Sequence, residues 1–134
     1  MLAQLLEDSD LDVVLDSSFL LEFVSRPLKR IEELELSLGK IEFVVLDATV
    51  KELEKLASET GIKAKKALAA LEYVKNLKRV NVADIKSDAD LTILSYAVKH
   101  GSAVATLDQK LRRKLKKIGV AVITLRDDNL WIDK

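Results

Sequence analysis

The spacing of apolar positions alternates along the chain between the two periodicities of regular structure. Asp12–Asp16 (DVVLD) reads as a short buried strand, with Ser17 and Ser18 as N-caps of a helix over FLLEFV. Pro27 ends that helix and suits the first turn of the next, LKRIEELELSL, which Gly39 closes. IEFVVL, from Ile41, is an apolar run of the kind covered on both faces. ATVKELEKLAS predicts a helix that Gly61 breaks. IKAKKALAALEYVKN predicts a longer one with Ala64, Ala67, Leu68, Leu71 and Val74 at helical spacing. A short strand at Arg79–Val82 follows, then a helix over Ser87–Lys99 ending at His100-Gly101. After it come a strand AVATL, a basic helix over Asp108–Lys117, and a last strand VAVITL beyond Gly119. The tail RDDNLWIDK either packs through Trp131 or frays.

The order β-α-α-β-α-α-β-α-β-α-β implies an α/β fold in three layers, a mostly parallel sheet of about five strands with helices on both faces. The chain of 134 residues has the length of one domain, with a core over about 12–126 and a tail at 127–134. Repeats, linkers and low-complexity tracts are lacking.

Composition narrows the chemistry. Half the residues are hydrophobic (49%) and a third charged (33%), which excludes a disordered chain. No apolar run approaches the roughly 20 residues that span a bilayer, and MLAQLLEDSD lacks the features of a secretory signal. A cytoplasmic protein with no membrane partner is expected. With no cysteine, disulfides, thiolate zinc sites and cysteine nucleophiles drop out. Scarce Asn and Gln beside abundant Glu and Lys fit a thermophile. Net charge is zero, but residues 1–60 carry 6 basic and 14 acidic side chains while residues 61–119 carry 14 and 5. Long-range steering of a polyanion would be weak, yet a local basic face is available.

Ligands of open parallel sheets bind beyond the carboxyl ends of the strands. Five acids fall there: Asp16 ends the first strand, Glu52 lies early in the helix after the second, Asp88 and Asp90 open the helix after the third, and Asp108 closely follows the fourth. Most have a structural explanation as well. Thr49-x-x-Glu52 has capping-box spacing, Ser87-x-x-Asp90 resembles it, and Asp108 suits a helix cap. Asp16 is the exception, because a carboxylate ending a buried strand needs compensation. Several like charges gathered together repel, and a cation relieves them. Oxygen donors without cysteine or a histidine cluster suit Mg²⁺ or Mn²⁺, and a carboxylate-held ion pair suits phosphodiester hydrolysis.

Four segments carry a family resemblance: Asp16-Ser17-Ser18-Phe19-Leu20-Leu21, Thr49 to Leu56, Ala89-Asp90-Leu91-Thr92-Ile93-Leu94, and Ala105 to Leu111. With the closing Gly119–Arg126, they resemble, in order, the motifs of the PIN-domain ribonucleases over about 12–126. That resemblance implies strand order 3-2-1-4-5, metal ligation by Asp16, Asp90 and Asp108, and Glu52 as the fourth acid. It places Thr106 at the family's orienting hydroxyl. Asp88 is a further candidate ligand, though Asp90 matches the family's third acid better. Ser18 and Leu107 stand where many members have Asn. Neither departure removes a carboxylate, but both bear on activity and substrate preference.

Glu54 competes with Glu52 for the second acid. Glu52 is preferred, because Leu53 and Leu56 are then buried while Glu54 turns away. Glu22, on the first helix, is expected to face solvent, with the cleft within its reach as the alternative. The basic helix offers Lys110, Arg112, Arg113 and Lys116 to an RNA backbone, and Lys63, Lys65 and Lys66 extend the track. His100, the only histidine, fits the dipole of a helix C-terminus. Phe43, Tyr73, Tyr96 and Trp131 are too scattered to form a base-stacking platform.

The reading that follows is a Mg²⁺- or Mn²⁺-dependent endoribonuclease. Within it, the rRNA-processing and RNA quality-control branch, of archaeal type, fits the chain better than a toxin with a cognate antitoxin. The alternatives are an RNA-binding or assembly module of the same fold and a receiver-type phosphoacceptor domain using Thr106. The apolar early helices (Phe19, Leu20, Phe23, Leu34, Leu36, Leu38) leave room for a homodimer.

Overall fold

The computed structural model describes residues 11–25, 40–82, 88–126 and 129–133. The helix expected over LKRIEELELSL, with Pro27, Gly39 and the apolar Leu34, Leu36 and Leu38, lies outside the described residues, as does Ser87. The elements in chain order are β1 (Leu11–Leu15), α1 (Ser17–Phe23), β2 (Ile41–Leu46), α2 (Asp47–Ala57), α3 (Ile62–Val74), β3 (Lys78–Val80) and α4 (Ala89–His100). They continue with β4 (Ala103–Ala105), α5 (Gln109–Lys117), β5 (Val122–Arg126) and β6 (Asn129–Asp133).

The sheet has six strands in the order β3-β2-β1-β4-β5-β6. The first five pair in parallel, with Val14 opposite both Val44 and Val104, and β6 closes the sheet antiparallel to β5. The expected order 3-2-1-4-5 holds, with one more strand at its edge. β1 is central, so its residues are covered on both sides, and the period of two divides them. Val13 and Leu15, with Val45, Ala103, Ala105 and Ile123, pack beneath Phe19, Phe23, Val50, Leu53, Ala67 and Val74 of α1, α2 and α3. Val14, with Val44, Leu46, Val104 and Val122, packs beneath Ile93, Tyr96, Leu111 and Leu115 of α4 and α5. These are the three layers expected of an alternating α/β chain. Among the described residues no helix is long and apolar enough to cross a membrane.

The tail is a strand rather than a frayed end. Leu130 and Ile132 alternate around Trp131 and pack against the α1–α3 face, while Trp131 lies opposite Thr124 and stays half exposed. Leu130 and Ile132 thus tie the strand to the core.

The helix starts depart from the expected caps. α2 begins at Asp47 with Leu46 at its N-cap and no side-chain cap bond, so the expected Thr49–Glu52 capping box is not formed. Asp88 caps α4: its Oδ1 accepts from the Asp90 amide at 3.0 Å. Ser17 and Ser18 lie inside α1 rather than before it, with Asp16 at the N-cap. Asp108 does cap α5, its Oδ1 accepting from the amides of Lys110 at 2.8 Å and Leu111 at 3.3 Å. At the far end of α4, Gly101 takes the left-handed conformation (φ 64°) that turns the chain directly into β4.

Candidate active site

The parallel strands deliver Asp16 and Thr106 side by side. Asp16 leaves the end of β1 with its amide bonded to the Ala105 carbonyl at 2.9 Å, and Thr106 leaves β4 one residue later. Burial there is nearly complete, with Asp16 4% and Thr106 0% exposed. A carboxylate so enclosed needs donors. It has two: the Thr106 hydroxyl donates to Oδ2 at 2.7 Å and the Ser18 hydroxyl donates to the same oxygen at 2.6 Å. Each hydroxyl has a single proton, and each also accepts an amide, Asp108 N–H on Thr106 at 3.0 Å and Leu107 N–H on Ser18 at 3.0 Å. The 3.2 Å approach of the two hydroxyls is therefore a consequence of sharing Oδ2. The cluster sews the start of α1 to the loop after β4.

The other acids lie at the same edge of the sheet. Asp90, in the first turn of α4, has its carboxyl raised above the ordinary aspartate value. Partial burial is the largest cause, followed by the negative charges of Asp16, Asp108, Asp88 and Glu52. All five sequence candidates thus share one electrostatic neighbourhood. Glu52, exposed on α2, accepts a short hydrogen bond from the Ser17 hydroxyl of α1. Asp88 and Asp108 each commit one oxygen to a helix cap. Glu54 turns elsewhere, into a groove with Val50, Leu71, Val74 and Arg79. Leu53 is fully buried and Leu56 half-buried, as expected if Glu52 faces the acids.

The donor chemistry and the charge fit a hard divalent cation: every candidate ligand is a carboxylate oxygen, and the neighbouring negative charges that add to burial in raising Asp90 are what such a cation relieves. Among the described residues, no three of these carboxylates are already converged to hold an ion.

The basic residues divide into two groups. Arg112 donates to Asp133 of β6 at 2.6 Å, and Lys116 lies 3.0 Å from the same carboxylate, which is held below the ordinary aspartate range by these two hydrogen bonds. Their charge is thus matched locally, whereas Lys110 and Arg113 are exposed and form no ion pair among the described residues. Lys66 binds Glu22 at 3.2 Å, so Glu22 is half-buried and paired rather than facing solvent alone, and Lys63 and Lys65 remain exposed. His100 stacks on Tyr96 with centroids 4.2 Å apart, more than the dipole contact expected of it.

Two further side chains have contacts that their place in the sequence does not reveal. Ser17 was a cap candidate, but its hydroxyl serves Glu52 instead. Asp47 directly follows β2, where the strand-end rule would have found it, and it forms an ion pair with Arg79 of β3.

The PIN like domain family matches residues 13–128. Ribonuclease VapC4 of Methanocaldococcus jannaschii is 34% identical over 119 residues, 85% of this chain and 89% of that protein. Ribonuclease VapC9 of Archaeoglobus fulgidus is 32% identical over 90 residues, 67% of this chain, and the match spans 65% of that protein's length. Among solved structures, that of the PIN domain endonuclease Utp24 superposes with a TM-score of 0.76 at 23% identity, covering 91% of this chain and 90% of that one. A domain of a functionally unknown Methanocaldococcus jannaschii protein superposes at 0.61 with 18% identity, covering 86% and 91%. With the family match running through the acid-bearing strand ends, the chain belongs to the PIN-like domain family.

Proposed function

We propose that this chain is a divalent-metal-dependent endoribonuclease that hydrolyses RNA phosphodiester bonds, working in rRNA processing or RNA quality control. The observation that carries the reading is the buried Asp16 carboxylate, fixed by two hydroxyls, at a sheet edge where Asp90 feels the charges of Asp16, Asp108, Asp88 and Glu52. Similarity to two proteins named ribonucleases supports it.

Asp16, Asp90 and Asp108 would hold Mg²⁺ or Mn²⁺, with Asp88 as an outer candidate whose cap bond keeps one oxygen occupied. When bound, such cations supply a nucleophilic hydroxide from water and neutralise charge on the phosphate and its leaving oxygen. Thr106 and Ser18 hold Asp16 in one rotamer, so the first ligand is in place before the substrate arrives. Glu52, steadied by Ser17, is placed to accept a proton from the attacking water. Lys110 and Arg113, beside the Asp108 cap, would hold the RNA backbone. Arg112 and Lys116 would contribute only by giving up Asp133.

The test is incubation of the purified chain with a structured and a single-stranded RNA under Mn²⁺, Mg²⁺ or EDTA, beside Asp16→Asn. Cleavage with metal, absent in EDTA and in Asp16→Asn, supports the proposal. Salt-sensitive binding with no cleavage would replace it with the RNA-binding module. A second reading keeps this site but makes the chain a toxin ribonuclease with an antitoxin partner. It is favoured by the two relatives named ribonuclease VapC. Growth arrest on expression, relieved by a neighbouring gene, would select it.

A further inference from the structure

α4 is apolar on two faces. Its inner residues Ile93, Tyr96 and Ala97 belong to the core. Its outer residues Leu91, Leu94 and Val98 repeat at i, i+3 and i+7, yet Leu91 is 51% and Val98 62% exposed. A contiguous exposed apolar stripe rimmed by charged residues is the mark of an interaction surface. The outer stripe runs into an open groove of about 690 Å³ between α4 and the end of α5, lined by Leu94, Val98 and Ile118 with Lys99, Lys114 and Lys117. Among the described residues no acid lines it, and the three lysines outweigh the roughly half-charge each helix C-terminus contributes.

We propose that this groove docks an acidic amphipathic helix of a partner protein, its apolar stripe on Leu94, Val98 and Ile118 and its carboxylates against the lysines. The aliphatic wall, without an aromatic ring, suits a protein segment better than a nucleic acid. A second copy is a poor occupant. Among the described residues, the other helical positions with exposed large apolar side chains, Ile62 and Leu68, lie on α3 beside Lys63 and Lys65, which would set lysine against lysine. Asp90 and Asp108 sit at the opposite ends of the same helices, and Asp90 is roughly 12 Å of helix rise from Val98. A partner seated here would therefore leave the acids open. This inference stands whether or not the chain cleaves RNA.

The probe is a synthetic 18-residue helical peptide with leucines at i, i+3 and i+7 flanked by glutamates, against a lysine-flanked version and a shuffled one. Amide NMR shifts on the full chain should fall on Leu94, Val98, Lys99, Lys117 and Ile118. The glutamate peptide should bind at least tenfold more tightly than either control. Val98→Asp and Lys117→Glu should each weaken it tenfold or more. Both positions are exposed, so circular dichroism should remain native, and any RNA cleavage should be unchanged. No shifts, shifts elsewhere, equal affinity for the lysine peptide, or displacement by RNA would overturn the proposal. So would concentration-dependent self-association that Val98→Asp abolishes, which would assign the face to a second copy.

Discussion

Thr106→Val isolates the hydroxyl that holds Asp16. Valine keeps the shape, so the change is almost wholly polar. The wild-type hydroxyl donates to a carboxylate that is 4% exposed, and a hydrogen bond to a buried charge contributes about 1.5–3 kcal/mol. It also accepts the part-buried Asp108 amide, a bond that contributes about 0.5–1.5 kcal/mol. Burying a methyl in place of the hydroxyl returns about 0.8 kcal/mol. The net loss should be on the order of 2 kcal/mol, a shift in melting temperature of roughly 6–10 °C for a chain of this size. Urea denaturation in EDTA measures it, so that bound metal does not mask the effect. In an Asp16→Asn background the same substitution should lose about 1 kcal/mol of its effect, because the bond is no longer to a charge. A loss below about 0.5 kcal/mol in both backgrounds would show that Thr106 does not hold the carboxylate.

Asp90 and Asp133 make opposite predictions with pH. Asp90 is raised in the folded chain, so its contribution is present at low pH and lost as pH climbs through its folded value, above the ordinary aspartate range. Asp90→Asn should therefore become more stable than wild type in EDTA as pH rises towards 7. Parallel urea midpoints across that range would contradict the crowding of acids. Asp133 is lowered, so its contribution is present above the ordinary aspartate value and disappears as pH falls through its folded value. Carbon NMR should find it titrating below that range and returning towards it in Arg112→Ala, and an unchanged midpoint would deny the tie between α5 and β6. Mn²⁺ at about 100 times its Kd should stabilise the wild type by about 2.7 kcal/mol in thermal melts. Equal stabilisation of Asp16→Asn would place the ion elsewhere.

The sheet was legible because its strands are short apolar runs ending at turn or cap residues, and a parallel sheet must put the acids that follow them on one edge. Asp16, Asp90 and Asp108 could be found that way. Contacts between distant segments could not. Ser17 reaches Glu52 35 residues on, and Thr106 reaches Asp16 across 90. A serine at a helix start looks the same whether it caps the helix or serves a side chain from another element. Leu130-Trp131-Ile132 is too short a run to tell a strand from a loose tail until β5 is there to pair with it. The basic helix was read by its charge, which hid the fact that two of its cations answer to Asp133.

Cleavage of a defined RNA in ¹⁸O-water, with Mn²⁺ present, tests the central claim most directly, because the carboxylate edge is read as a site that activates water. The account predicts that each new terminal phosphate carries one ¹⁸O and that no 2′,3′-cyclic phosphate forms. Unlabelled cyclic phosphate termini would mean that the RNA's own 2′-hydroxyl attacks, and would contradict a hydrolytic site built on Asp16, Asp90 and Asp108.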